Sequence, residues 1–150
     1  MATISAATAA VPADNPKRNL TLAIADNLPH VGLVGDTYAI TVTDEQTEGR
    51  FSVIDMHVAP GGGPPPHGHD FEETFILLEG AIEATFRGQK SIVRAGETLN
   101  IPANAPQQFR NTSAQRVRML CVCSPAGQEK LFLEVGVPVS TRTTPAPKLD

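Results

Sequence analysis

The 150-residue sequence predicts an all-β fold: an antiparallel barrel or jelly roll closed by one short C-terminal helix. Three observations carry that expectation. Short runs alternate apolar and polar side chains with a period of two, the mark of half-buried strands. The 12 glycines and 13 prolines cluster between those runs and punctuate them as turns. One stretch, 128–135, instead spaces Leu131, Phe132 and Val135 as a helix does.

The elements follow in order. Residues 1–19, rich in Ala and Thr and broken by Pro12 and Pro16, carry neither period and read as an N-terminal arm. His30, in Leu28-Pro29-His30, reads as a loop residue. In 37–43, Tyr38, Ile40 and Val42 alternate with Thr37, Ala39, Thr41 and Thr43, giving a first strand; 51–58 gives a second, which the run from Gly61 to Pro66 stops. Strands at 74–78, 82–86 and 90–93 follow, with turns at Glu79-Gly80 and Arg87-Gly88. A short strand at 98–101 ends at Pro102. After Asn104-Ala105-Pro106, runs at 107–111 and 116–123 are expected to form a last hairpin through Thr112-Ser113-Ala114. The helix at 128–135 then caps the barrel, and the tail 137–150, with Pro138, Pro145 and Pro147, resembles the arm. The expected organisation is therefore arm 1–19, barrel 20–136 and tail 137–150.

Composition narrows the function classes. Twelve Lys and Arg against sixteen Asp and Glu leave a net charge of -4, and the basic residues are scattered, so nucleic acid is not an expected partner. No apolar run approaches the roughly 20 residues of a membrane helix, and no basic start leads into an apolar core, so a cytoplasmic protein without membrane contact is expected. Cys121 and Cys123 are too few for a disulfide framework, and at i and i+2 they are poorly placed to pair; they read as core.

The chemistry concentrates between Gly61 and Gly80. His67 and His69, at i and i+2 of an extended segment, point to one side with Cα atoms roughly 6.5 Å apart, so both imidazoles can converge on one ion. Straight strand would carry Glu73 roughly 13 Å beyond His69, so Asp70-Phe71-Glu72 should reverse the chain and start a neighbouring strand; Glu72 is the alternative ligand if the turn is one residue shorter. Two histidines and a carboxylate suit zinc, manganese, iron, nickel or copper, and ligand type alone does not choose among them. Phe75, Leu77 and Phe109 share face parity with Glu73 and Gln107, so they are candidates for the apolar wall of a substrate pocket, with His57 a further candidate at the barrel mouth.

The spacing Gly-x5-His-x-His-x3-Glu-x6-Gly, met by Gly61, His67, His69, Glu73 and Gly80, resembles the first motif of the cupin superfamily. The second motif, Gly-x5-Pro-x-Gly-x2-His-x3-Asn, is matched by Gly96, Pro102 and Asn111, with Asn104 in place of its glycine and Gln107 in place of its metal histidine. Over residues 47–136 the chain resembles small single-domain bacterial cupins, some of them flavonol dioxygenase-like. That resemblance implies a double-stranded β-helix of jelly-roll type and one divalent transition metal per chain, held by His67, His69, Glu73 and Gln107. A glutamine can ligate through its amide oxygen, as in the zinc site of phosphomannose isomerases, which are cupins. The resemblance also implies oxidative cleavage of an enolic or phenolic substrate, with Glu73 able to accept the substrate proton. The alternatives are a non-redox isomerase, cyclase or lyase, and a non-catalytic small-molecule-binding cupin. A homodimer is expected from the exposed edges of a small barrel and the Ala-rich arm.

Overall fold

The computed structural model describes residues 10–33 and 35–141. Among them ten strands, β1 (His30–Leu33), β2 (Asp36–Val42), β3 (Ser52–Val58), β4 (Glu72–Glu79), β5 (Ala81–Phe86), β6 (Gln89–Arg94), β7 (Thr98–Ile101), β8 (Gln107–Arg110), β9 (Val117–Ser124) and β10 (Val137–Val139), form two sheets. Their orders are β10-β1-β2-β3-β9-β4-β7 and β6-β5-β8, with every pairing antiparallel. The helix α2 (Gln128–Val135) follows β9, and one helical turn, α1 (Asp44–Thr47), separates β2 from β3. This is an all-β antiparallel barrel with a C-terminal helix, as the alternation predicts.

Alternation also places the core. Ile54, Met56 and Val58 of β3, Phe75 and Leu77 of β4, and Val117, Met119, Cys121 and Cys123 of β9 are buried together with Ile82 and Ala84 of β5 and Phe109 of β8. Phe75 and Phe109 meet edge to face at 5.2 Å between ring centroids, which joins the large sheet to the small one.

Several local expectations need correction. The runs at 107–111 and 116–123 do not form a hairpin: β8 pairs with β5, whereas β9 lies between β3 and β4 in the other sheet. The crossing is pinned by Asn111, which is fully buried, donates Nδ2 to the carbonyls of Val58 (3.1 Å) and Gln115 (2.6 Å), and accepts from the Ser113 backbone and hydroxyl. A period of two tells which side of a strand is buried but not which strand it pairs with. His30 is not in a loop but opens β1, opposite Val139. Val137–Val139, inside the stretch read as tail, is the edge strand that pairs with it. The remainder of the tail, 142–150, and residues 1–9 of the arm lie outside the described residues. The turn α1, not expected from the alternation, is fixed by a reciprocal capping box between Thr43 and Gln46.

Asp36, at the start of β2, has no exposed surface, and burial raises its carboxyl from 3.8 to about 7 against the lowering effect of the Tyr38 hydroxyl, which donates to Oδ2 at 3.1 Å. Between pH 3.8 and 7 the folded chain therefore holds a proton that the unfolded chain has lost. The contribution of this group to stability is complete below 3.8 and disappears as pH rises through 7.

Two measurements follow from this architecture. Asn111→Ala should lower the unfolding free energy by about 1–3 kcal/mol in urea, because the buried Val58 carbonyl, and with it that of Gln115, loses its donor; a loss below about 0.5 kcal/mol would show that the crossing does not depend on Asn111. Asp36→Asn, which can still accept from Tyr38, should flatten the fall in stability between pH 4 and 7 by about 2–4 kcal/mol, and an unchanged slope would place the responsible proton on another group.

Candidate metal centre

The site begins with a loop that only glycine can make. Gly63 has φ 133°, and a Cβ there would lie 2.2 Å from the Phe109 carbonyl oxygen, so the chain passes flush against β8. Pro64, Pro65 and Pro66 then hold it extended. His67 and Gln107 exchange both main-chain hydrogen bonds, N–H to carbonyl at 2.9 and 2.8 Å, so the loop joins the edge of the small sheet at this pair. The chain bends at Asp70 and Phe71 and enters β4 at Glu72, bringing the Glu73 side chain back to the histidines.

His67, His69 and Glu73 each present a ligand atom, all within 4.8 Å of one another. The His67 and His69 rings stand edge to face at 4.6 Å, and His69 is stacked on Phe71 at 4.5 Å. His67 Nδ1 lies 2.8 Å from the Pro65 carbonyl, which can only accept, so Nδ1 carries the proton and Nε2 is the free lone pair. His69 Nε2 is 3.5 Å from Glu73 Oε2 and 3.4 Å from the Gln128 amide nitrogen. Burial lowers the pKa of His69, helped by the charge of His67, and burial raises that of Glu73 against the Gln107 hydrogen bond and His67. Both shifts favour the uncharged forms, and neutral imidazole is the form that ligates metal.

Gln107 donates Nε2 to Glu73 Oε1 at 3.0 Å. This leaves two buried acceptors, Glu73 Oε2 and Gln107 Oε1, with no hydrogen-bond donor among the described residues. Buried acceptors facing imidazole lone pairs are what a cation would satisfy, so the residues present fit a divalent transition ion.

Above this cluster lies a cavity of about 260 Å³ whose walls are mainly Leu33, Met56, Phe75, Phe109, Leu131 and Phe132, with Tyr38, Pro64, Pro65, His67, His69, Glu73 and Gln128 completing the lining. Phe75 and Phe109 thus stand where the parity argument puts them. Leu77 does not: it is two residues further along β4 and sits in the closed core. His57 does not line the cavity either. Ile54, Met56 and Val58 are the inward set of β3, so Asp55 and His57 fall on the opposite face, where Asp55 receives a forked contact from Arg118 at 3.2 and 2.8 Å. Gln107 reaches the cluster from behind Glu73 and is not part of the cavity wall. Gln128 had no sequence signal, because only the return of α2 over the barrel mouth brings it to His69.

A family model described as cupin domain matches residues 54–123. Quercetin 2,3-dioxygenase from Bacillus subtilis is 27% identical over 71% of this chain and 32% of its own length. The polyketide synthase CurC from Streptomyces cyaneus is 31% identical over 59% of this chain and 57% of its own. The chain therefore spans a third to somewhat over half of these two relatives. The crystal structure of the polyketide cyclase RemF from Streptomyces resistomycificus superposes with a TM-score of 0.56 at 25% identity, covering 75% of this chain and 80% of that one.

If the orphaned acceptors mark a cation site, stripped protein should gain thermal stability on addition of Fe²⁺, Mn²⁺, Ni²⁺, Cu²⁺ or Zn²⁺, by about 2.7 kcal/mol at a hundredfold excess over Kd. His67→Ala/His69→Ala should show no gain, and Gln107→Ala should need about 10–100 times more metal. An equal rise in wild type and the double-histidine variant would put the ion elsewhere.

Proposed function

This chain belongs to the cupin superfamily, and from that premise we propose that it is a metal-dependent, dioxygenase-like oxidoreductase acting on a small enolic or phenolic molecule. The observation that carries the reading is the convergence of two imidazoles and one buried carboxylate at the base of an apolar cavity of about 260 Å³. In it His67, His69 and Glu73 hold the ion, and Gln107 acts through Glu73 by fixing its Oε1. Bound there, a divalent transition ion would polarise an enolate or phenolate oxygen and, if redox-active, pass electrons between substrate and dioxygen.

The remaining work belongs to the protein. Phe75, Phe109 and Phe132 offer ring faces and edges to an aromatic substrate and keep water from it. Glu73 Oε2, free of any donor among the described residues, would have to leave the ion to take the enol or phenol proton, and its raised pKa makes it a stronger base than a solvated carboxylate. Leu131 and Phe132 close the cavity from α2, so substrate passes beside that helix.

A second reading has its own support. The likeness to two polyketide-pathway proteins, and the neutral amide of Gln107 where an imidazole is usual in the resembling family, favour non-redox cyclisation in which Glu73 removes a proton from an enolisable carbon. A non-catalytic binding module is the third. The proposed homodimer is supported by Leu20 and Leu22, 94% and 88% exposed on the segment before β1, and a reducing compartment by the two free thiols. No helix among the described residues is long and apolar enough to cross a membrane.

The deciding experiment loads stripped protein with each ion in turn and follows oxygen uptake with a panel of flavonols and other enolic or phenolic compounds. Oxygen consumption is expected, reduced at least about 100-fold in kcat by Glu73→Gln. Conversion without dioxygen to a product of unchanged composition would replace this reading by the cyclase or isomerase one. Ligand retention by metal-free protein without turnover would replace both.

A further inference from the structure

Behind the histidines lies a second group of donors that the proposed reaction does not use. Cys121 and Cys123 alternate along β9 with Leu120 and Val122, and both are fully buried. Their sulfurs are 3.6 Å apart. Glu73 lies directly opposite Cys123 in the β4–β9 ladder, and one of its carboxylate oxygens and the two sulfurs are all within 4.8 Å of one another. The Cys123 thiol donates to Gln128 Oε1 at 3.0 Å.

The spacing suits one kind of ligand. A tetrahedral ion with zinc-length metal–sulfur bonds of about 2.3 Å holds two sulfurs about 3.8 Å apart, and the longer bonds of larger soft ions part them somewhat further, so the pair must open by a few tenths of an ångström or slightly more. A disulfide would instead pull the sulfurs to about 2.05 Å between strand residues whose Cα atoms stand roughly 6.6 Å apart, at the far end of the range such a bond tolerates. The pair is built to chelate more readily than to oxidise. Two thiolates select soft, thiophilic cations over the harder ions that imidazole and carboxylate accept.

We propose that Cys121, Cys123 and Glu73 form a thiophilic metal site, for a soft d¹⁰ cation such as Cd²⁺, Hg²⁺ or Cu⁺, that shares its carboxylate with the His67–His69 cluster, so that filling either site weakens the other. Binding breaks two S–H bonds and forms two sulfur–metal bonds, with release of two protons and no change of oxidation state. Glu73 and Gln128 both line the cavity, Gln128 bonded to the Cys123 thiol and Glu73 with an oxygen within 4.8 Å of both sulfurs, so the ion enters through the cavity without unfolding the barrel. The carboxylate is the only donor common to both clusters, and with Oε1 held by Gln107 it cannot swing to serve two ions at once.

The test uses full-length, reduced, metal-stripped protein titrated with Cd²⁺, with the thiolate-to-cadmium absorption band and the far-ultraviolet circular dichroism recorded together. Because the chain has only two cysteines, any such band reports this pair. A band saturating at one Cd²⁺ per chain in folded wild type and in His67→Ala/His69→Ala, and absent from Cys121→Ala/Cys123→Ala, is expected. No band at several equivalents, or a band that grows only as the dichroism is lost, would overturn the site. Sharing is read separately, by Mn²⁺ binding followed by electron paramagnetic resonance. One equivalent of Cd²⁺ should weaken it about tenfold or more in wild type and not in the double-cysteine variant. Unchanged Mn²⁺ affinity beside a full cadmium band would overturn the sharing, whereas absence of Mn²⁺ binding in every protein would count against the histidine centre and leave the cadmium result standing.

Discussion

The pair of main-chain hydrogen bonds between His67 and Gln107 is the constraint on which the rest of the site depends. Here, as at Asn111 with Gly61 and Gly62, the Gly/Pro loop is tied to the strand of Gln107, and the pair sets both side chains in the same register. Gln107 then fixes Glu73 from behind, and Glu73 faces His69. None of these contacts survives a shift of one residue, since a slip would turn Gln107 out of the barrel and Gln108 in. Gly63 is the condition for the pair: without its positive φ and missing side chain the loop could not lie against Phe109.

This arrangement buries a carboxylate, an amide and two thiols at the end of an otherwise apolar core, a costly choice for a domain of this size. The cost is lowered unevenly. Gln107 satisfies one oxygen of Glu73, Gln128 takes the Cys123 S–H, and the other Glu73 oxygen stays without a donor among the described residues. The unmet oxygen leaves the site an acceptor ready for a ligand, in contrast to Asn111, whose amide is bonded at both its nitrogen and its oxygen. Asp36 is the same economy at another point: buried beside Tyr38, it keeps its proton up to about pH 7.

The cavity walls are three phenylalanines and aliphatic neighbours, which leave most polar contacts to the cluster at the base. The two thiols of β9 lie on the other side of the same carboxylate, within 4.8 Å of one of its oxygens.

By itself the sequence determined the strands from β2 to β9, most of their buried faces and the close spacing of His67, His69 and Glu73, because each is a matter of intervals along the chain; β1 and β10, short strands at one end of the large sheet with no alternation to mark them, escaped it. The interval from His67 to Glu73 is short enough that one bend accounts for it, and Phe75 follows Glu73 by strand parity. Where parity was assigned to the wrong face, as for His57, or carried one step too deep, as for Leu77, the expectation failed for want of knowing where the core ended. Strand partners were beyond reach for the same reason, so β8 and β9, neighbours in sequence, had to be seen in different sheets. Only the tertiary structure decided that Gln107 stands behind Glu73, that Gln128 returns on α2 to His69, and that the thiols of β9 back the same carboxylate. Those contacts join residues up to 59 positions apart. Sequence periodicity has no term for such distances; they are set by how the two sheets close on one core.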